Sequence, residues 1–138
     1  MQAQVISIRI KIAIILLTFG YSLYASTIVG KWVGYAPDNV KISYQFDSNN
    51  SLIWTVDKPS GTFSTNAEYS IDYSAKPIRL DIYDFTYPQL KTFHFFGIVE
   101  FKDKGTMLLY GQPSDTTKQN ATYPEEFAPD SIEFQRLK

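Results

Sequence analysis

The sequence predicts an all-β protein: an eight-stranded antiparallel up-and-down barrel, preceded by a signal-peptide helix. Three observations support this prediction. Apolar and polar residues alternate along most of the chain after residue 25, turn residues separate the alternating runs, and no segment there spaces its apolar residues at helical intervals. Short connections favour antiparallel neighbours, and closing eight such strands into a barrel removes the exposed edges of the sheet.

The composition bounds the class of protein. The chain has 138 residues, no cysteine, one histidine and a formal net charge of −1. That length predicts one folded domain. The missing cysteine excludes a disulfide framework, a thiolate metal site and a cysteine nucleophile. A near-neutral charge argues against a nucleic-acid partner held through phosphate contacts. We therefore expect no metal, no cofactor and no nucleic acid.

The first 25 residues have the three parts of a secretory signal peptide. Arg9 and Lys11 are cationic, the stretch 12–25 is mainly apolar, and small residues such as Ala25 suit a signal peptidase. An apolar stretch this short falls below the roughly 20 residues that span a bilayer. The sequence thus predicts a signal peptide at 1–25, a barrel domain at 26–138 and export to the periplasm or the medium. Without a cysteine for lipidation, we expect no stable membrane anchor after cleavage.

Alternation places the strands in order along the rest of the chain. In the clearest case, Ile42, Tyr44 and Phe46 alternate with polar residues. The predicted strands are 29–35, 40–46, 52–56, 69–73, 78–82, 93–101, 107–110 and 132–137. Two segments do not fit a strand. These are 85–90, which contains Pro88, and 112–131, which contains three prolines and could hold one helical turn at 125–127.

The ends of this barrel carry a family resemblance. Residues 28–32 read Ile-Val-Gly-Lys-Trp, and Arg136 lies in the last predicted strand. The Gly-x-Trp motif resembles the start of the first strand in lipocalins and related calycin barrels. The resemblance implies that Gly30 allows close packing, that Trp32 plugs one end, and that Arg136 packs across its ring in a cation–π contact.

Further motifs resemble a narrower group, the small and mostly uncharacterised lipocalin-like domains of environmental bacteria. The similarity covers Tyr-Ser-Ile-Asp at 69–72, Gly-Ile-Val-Glu at 97–100 and Tyr-Pro-Glu-Glu-Phe at 123–127, where Tyr123 replaces the family's arginine. This resemblance implies a barrel that could bind a ligand, and it brings no catalytic residues with it.

Aromatic residues are in excess, at 16% of the chain. Two interpretations stay open: the rings fill a narrow core, or they line a pocket whose tyrosine hydroxyls orient an amphipathic ligand. We predict non-catalytic binding of a small apolar or amphipathic molecule. The candidate ligand-lining residues, all on predicted inward positions, are Tyr44, Phe46, Trp54, Tyr69, Tyr73, Phe93 and Phe95.

The search for catalytic residues gives no site. His94 lies on the polar face of its strand, where a surface or groove role is expected, and the chain has no Gly-x-Ser-x-Gly motif. Arg79 and Asp81 are predicted to form only a weak surface pair. We therefore expect no enzyme activity.

The alternative function is a protein–protein module, an inhibitor or immunity-like partner of an exported enzyme. Its contact surface would be the 112–131 loop with Tyr123, Pro124 and Phe127.

Overall fold

The chain folds as one closed barrel of eight antiparallel strands, each paired with its neighbours in sequence and the last with the first. The computed structural model describes residues 27–138, so the predicted signal peptide lies outside the described residues. The predicted all-β, eight-stranded up-and-down barrel is confirmed. The strands are β1 Gly30–Ala36, β2 Val40–Phe46, β3 Ser51–Lys58, β4 Gly61–Asp72, β5 Ile78–Tyr83, β6 Phe93–Asp103, β7 Thr106–Asp115 and β8 Ile132–Arg136.

The two ends of the barrel are different, and we call them the closed end and the open end. The closed end holds the start of β1 and the short connections 47–50, 73–77 and 104–105. The open end holds the other four connections, among them the 116–131 segment and the 3-10 turns Pro37–Asn39 and Pro88–Leu90. No helix in the described part of the chain is long and apolar enough to cross a membrane.

Alternate residues of each strand point inward and form a single core. Its largest fully buried side chains are Trp32, Phe46 and Phe134. Gly97 and Gly111 face each other across β6 and β7, and the ring of Phe95 occupies the space that side chains would need there. The core is therefore packed with rings wherever the backbone leaves room for them.

Two strands are longer than the sequence predicted. β4 begins at Gly61, well before the predicted start at residue 69. The prediction missed its first half because Thr65 and Ala67, which face inward, weaken the apolar alternation there. β7 runs to Asp115 and takes in Pro113, so the irregular connection begins at 116 and not at 112. β8 pairs with β7 only up to Leu109, and Pro113 thus lies on an unpaired sheet edge, which tolerates proline. Residues 125 and 126 form a bend, and the expected helical turn at 125–127 is absent.

Candidate ligand-binding site

The closed end is sealed by the first and last strands. The guanidinium of Arg136 lies over the ring of Trp32, 4.3 Å from its centroid. The Trp32 Nε1–H donates to the carbonyl of Ile28 at 2.8 Å. Gly30 has a φ of 136°, and a Cβ there would lie 2.7 Å from Arg136 Nη1. Gly30, Trp32 and Arg136, the three closure residues that the resemblance implies, are thus in one cluster.

Arg136 also bonds backbone carbonyls of two segments that adjoin Trp32, the residues before β1 and the connection between β6 and β7. Its Nη2 and Nη1 donate to the carbonyls of Thr27 and Val29 at 2.6 Å each, and its Nε donates to Lys104 O at 2.9 Å. One planar cation therefore satisfies three backbone acceptors around Trp32.

The open end contains a cleft of about 580 Å³ at the mouth of β3 and β4, which we call the mouth cleft. Apolar side chains form its walls and polar ones its rim. The walls are Ile42, Trp54, Val56 and Phe63, and the rim is Lys58, Ser60, Gly61 and Thr62. A volume of this size lies within the range of small-molecule sites, which are mostly apolar with a few polar groups.

A second cleft of about 300 Å³ adjoins the first through Ile42, which lines both. We call it the inner cleft. Tyr44, Phe95 and Ile132 are among its walls. Burial of the Tyr44 phenol raises its pKa, because the charged form would lose its hydration.

Trp54 is the unusual residue of the mouth cleft. Its ring packs edge-on against Phe63 and Phe85, with centroid distances of 5.7 and 6.1 Å. Its Nε1 is buried and has no hydrogen-bond acceptor within residues 27–138. A buried polar group without a partner costs about 1–3 kcal/mol, and such groups are uncommon in native proteins. The ring of Trp54 forms part of the cleft wall, and its N–H lies buried within that wall without an acceptor.

The other predicted lining residues divide between the two ends. Trp54 lines the mouth cleft, Tyr44 and Phe95 line the inner cleft, and Phe93 packs against the core on the same half. Phe46 and Tyr69 lie in the closed half with their rings 4.9 Å apart.

Tyr73 differs from its predicted inward position. β4 ends at Asp72, whose carboxylate accepts hydrogen bonds from the backbone N–H and hydroxyl of Ser74 at 3.0 and 2.6 Å. This local turn takes Tyr73 out of the strand, and its side chain is 46% exposed at the closed end. Its hydroxyl accepts a bond from the Ile28 N–H at 3.1 Å.

The sequence interpretation missed Phe63, a wall of the mouth cleft. Phe63 lies in the first half of β4, which the prediction left outside the strands. Its alternation with the later inward residues Thr65 and Ala67 was the available signal, and it is weak because neither of those side chains is strongly apolar.

The outer face of β5 and β6 carries a polar contact that joins distant parts of the chain. His94 Nε2 lies 2.7 Å from Asp81 Oδ1, and the Tyr123 hydroxyl lies 2.6 Å from each Asp81 oxygen. Arg79 forms no ion pair with Asp81, contrary to the expected surface pair, because its guanidinium lies over the Tyr123 ring at 4.6 Å. Burial, then the hydrogen bond to Asp81 and its charge, raise the pKa of Tyr123 to about 12.

Tyr123, Pro124 and Phe127, the predicted protein-contact residues, are all half-buried. The Tyr123 ring packs against Phe96 with centroids 5.4 Å apart, so this side chain is turned onto the sheet. Contact with a protein partner stays a prediction.

Within residues 27–138, no group of three or more metal-ligating side chains lies close enough to hold an ion. The chain matches no model of a known family, no curated protein and no solved structure.

Proposed function

We propose that this chain is an exported, lipocalin-like binding protein that holds a small apolar or amphipathic molecule at the open end of its barrel, without catalysis. The fold supports the proposal because an eight-stranded barrel is wide enough to hold one small ligand. The resemblance of Gly30-x-Trp32 and Arg136 to the lipocalin pattern agrees with it. Export rests on the pattern of residues 1–25.

The observation that carries the proposal is the unpaired Nε1–H of Trp54 at an apolar cleft. If protein side chains alone filled this region, the donor would stay buried without a hydrogen-bond partner. A ligand with an apolar body and one hydrogen-bond acceptor would bury the walls Ile42, Val56 and Phe63, and its acceptor would pair with the indole N–H once the Trp54 ring rotates towards the cleft. The rim residue Lys58 favours a ligand whose polar end is neutral or anionic.

The test is a comparison of the two tryptophans. The probe is 1-anilinonaphthalene-8-sulfonate, which has an apolar body and sulfonate acceptors, and its binding is followed by its fluorescence. Trp54→Phe should weaken binding by up to about tenfold, because one hydrogen bond contributes about 1 kcal/mol and 1.4 kcal/mol is tenfold. Its effect on urea unfolding should be small, since the loss of ring contacts is offset by removal of an unpaired donor.

Trp32→Phe is the matched control. It leaves the Ile28 carbonyl without its donor and weakens the contact with Arg136, so it should lower stability and leave probe affinity unchanged. The proposal fails if the intact protein does not bind the probe, or if Trp54→Phe binds it as tightly as the parent. Native mass spectrometry of protein purified from its host should also find a bound small molecule.

A further inference from the structure

A separate cleft lies on the outside of the barrel, away from its open mouth. Residues 119–124, which we call the strap, lie against the outer face of β7 and form one wall of an open cleft of about 360 Å³. Tyr110, Gln112 and Ser114 alternate along β7 and form the floor of this outer cleft, together with Phe96, the cross-strand partner of Gln112. The rest of the lining comes from the strap itself.

Two contacts attach the strap to the barrel: the Gln119 N–H donates to the Asp115 carbonyl of β7 at 3.3 Å, and the Tyr123 side chain bonds the sheet farther along. The Tyr123 hydroxyl donates to the Asp81 carboxylate, and within residues 27–138 this is the only hydrogen bond that joins 120–124 to the strands. His94 bonds the same carboxylate and stacks on Phe96 with centroids 4.1 Å apart. The Tyr123 ring meets Phe96 edge-on, at 86°. These contacts hold the wall in place, so the cleft exists before any ligand arrives.

The lining of the outer cleft has no charged residue, although 20% of the chain is charged. Its polar groups are three amides and several hydroxyls. Six of these side chains form no hydrogen bond with another residue of 27–138, and they are Tyr110, Gln112, Ser114, Gln119, Asn120 and Thr122. Ser114 is only 6% exposed and is one of the two buried polar residues of the described chain. The cleft is therefore lined with neutral donors and acceptors that have no partner in the described part of the chain.

Aromatic rings stand beside these groups. Phe96, Tyr110 and Tyr123 contribute apolar surface to the same cleft. Amide side chains donate and accept at once, as do hydroxyls, and rings pack against flat apolar surfaces. A sugar presents both features, with hydroxyls around its edge and C–H groups on its faces. Phosphates and carboxylates fit poorly because no cation lines the cleft, and a lipid chain would leave the amides unpaired.

We propose that the outer cleft binds a neutral carbohydrate, of the size of a mono- or disaccharide unit, between the strap and β7. Gln112 and Ser114 bond its hydroxyls from the floor, and Asn120 and Thr122 from the strap. The aromatic rings pack against its faces. This binding site is distinct from the mouth cleft, so it does not depend on the proposed function.

The test begins with an array of neutral saccharides that includes maltose, cellobiose, lactose and N,N′-diacetylchitobiose. The tightest binder is then titrated into the intact isotope-labelled protein, followed by amide NMR shifts. We expect shifts to concentrate at 110–114 and 119–124. Gln112→Ala should weaken binding about tenfold, the loss of one or two hydrogen bonds. Gln45→Ala, an exposed glutamine of β2, is the matched control and should bind normally.

Both variants change an outward side chain that has no partner among residues 27–138, so their thermal unfolding should match the parent. Four outcomes would overturn the proposal: no binding to any neutral saccharide, shifts confined to the mouth cleft, equal affinity of Gln112→Ala and Gln45→Ala, or a preference for sulfated and phosphorylated sugars. Loss of binding at the mouth in Trp54→Phe would leave this result unchanged, which separates the two sites.

Discussion

Replacing Arg136 with methionine should open the closed end while leaving the barrel strands paired. Methionine keeps an unbranched apolar stem over Trp32 and removes only the guanidinium. The change deletes three hydrogen bonds to backbone carbonyls and one cation–π contact. At about 1 kcal/mol for each bond in this half-buried position and about 0.5–1 kcal/mol for the ring contact, the loss is about 3–4 kcal/mol. That is a large part of the 5–15 kcal/mol typical of a domain.

The assay is urea unfolding followed by far-ultraviolet circular dichroism, which does not depend on the indole beside the mutation. Arg136→Lys should lose about 2 kcal/mol, because a lysine keeps the charge but cannot reach three carbonyls with a planar fork. The control is Lys102→Met, which removes an exposed ion pair with Glu133 at 3.1 Å and should cost under about 1 kcal/mol. If Arg136→Met costs no more than this control, the idea that this cation closes the barrel is wrong.

Two further predictions concern the strap and the core. Tyr123 has its pKa raised to about 12, so its bond to Asp81 stabilises the fold below pH 10 and is lost as the pH rises towards 12. Alkaline unfolding curves should therefore show a smaller loss of stability over this range in Tyr123→Phe than in the parent, and an equal loss would contradict the assignment. Gly111→Ala should destabilise by about 1–3 kcal/mol, since its Cβ would lie 2.5 Å from the Phe96 carbonyl oxygen. Gly105→Ala, whose Cβ would meet nothing closer than 3.7 Å, should melt near the parent temperature, and equal melting of the two variants would refute the packing argument.

The barrel could be predicted from the sequence because its strands alternate cleanly. In β2, Tyr44 and Phe46 face the core while Lys41 and Gln45 face solvent. Short connections then leave few possible orders for such strands in the sheet. The first half of β4 could not be predicted in this way. There Thr65 faces inward and bonds Asn66 O and Thr86, so a polar side chain occupies a core position that only the tertiary structure explains.

The candidate sites were less predictable than the fold. Period-two alternation placed Trp54 on the inner face, but whether its N–H meets an acceptor depends on strands far away in sequence. The contact of Tyr123 with Asp81 joins residues 42 positions apart and needs the path of the connection after β7. An outward residue such as Gln112 looks like ordinary surface in the sequence, and only the strap above it makes it part of a cleft.

The two tryptophans lie at opposite ends of the barrel, one in the sealed end and one at the proposed binding site. The protein itself satisfies the polar group and covers the ring of Trp32: its N–H donates to Ile28 O, and the Arg136 guanidinium lies over its face. Trp54 packs edge-on against Phe63, but its N–H has no acceptor within residues 27–138. A barrel stabilised at one end can tolerate an unsatisfied donor at the other, because about 3–4 kcal/mol at the closed end exceeds the 1–3 kcal/mol that one buried unpaired group costs. Weakening Arg136 should therefore lower stability without changing probe affinity, and a parallel loss of both would mean that the ends are coupled.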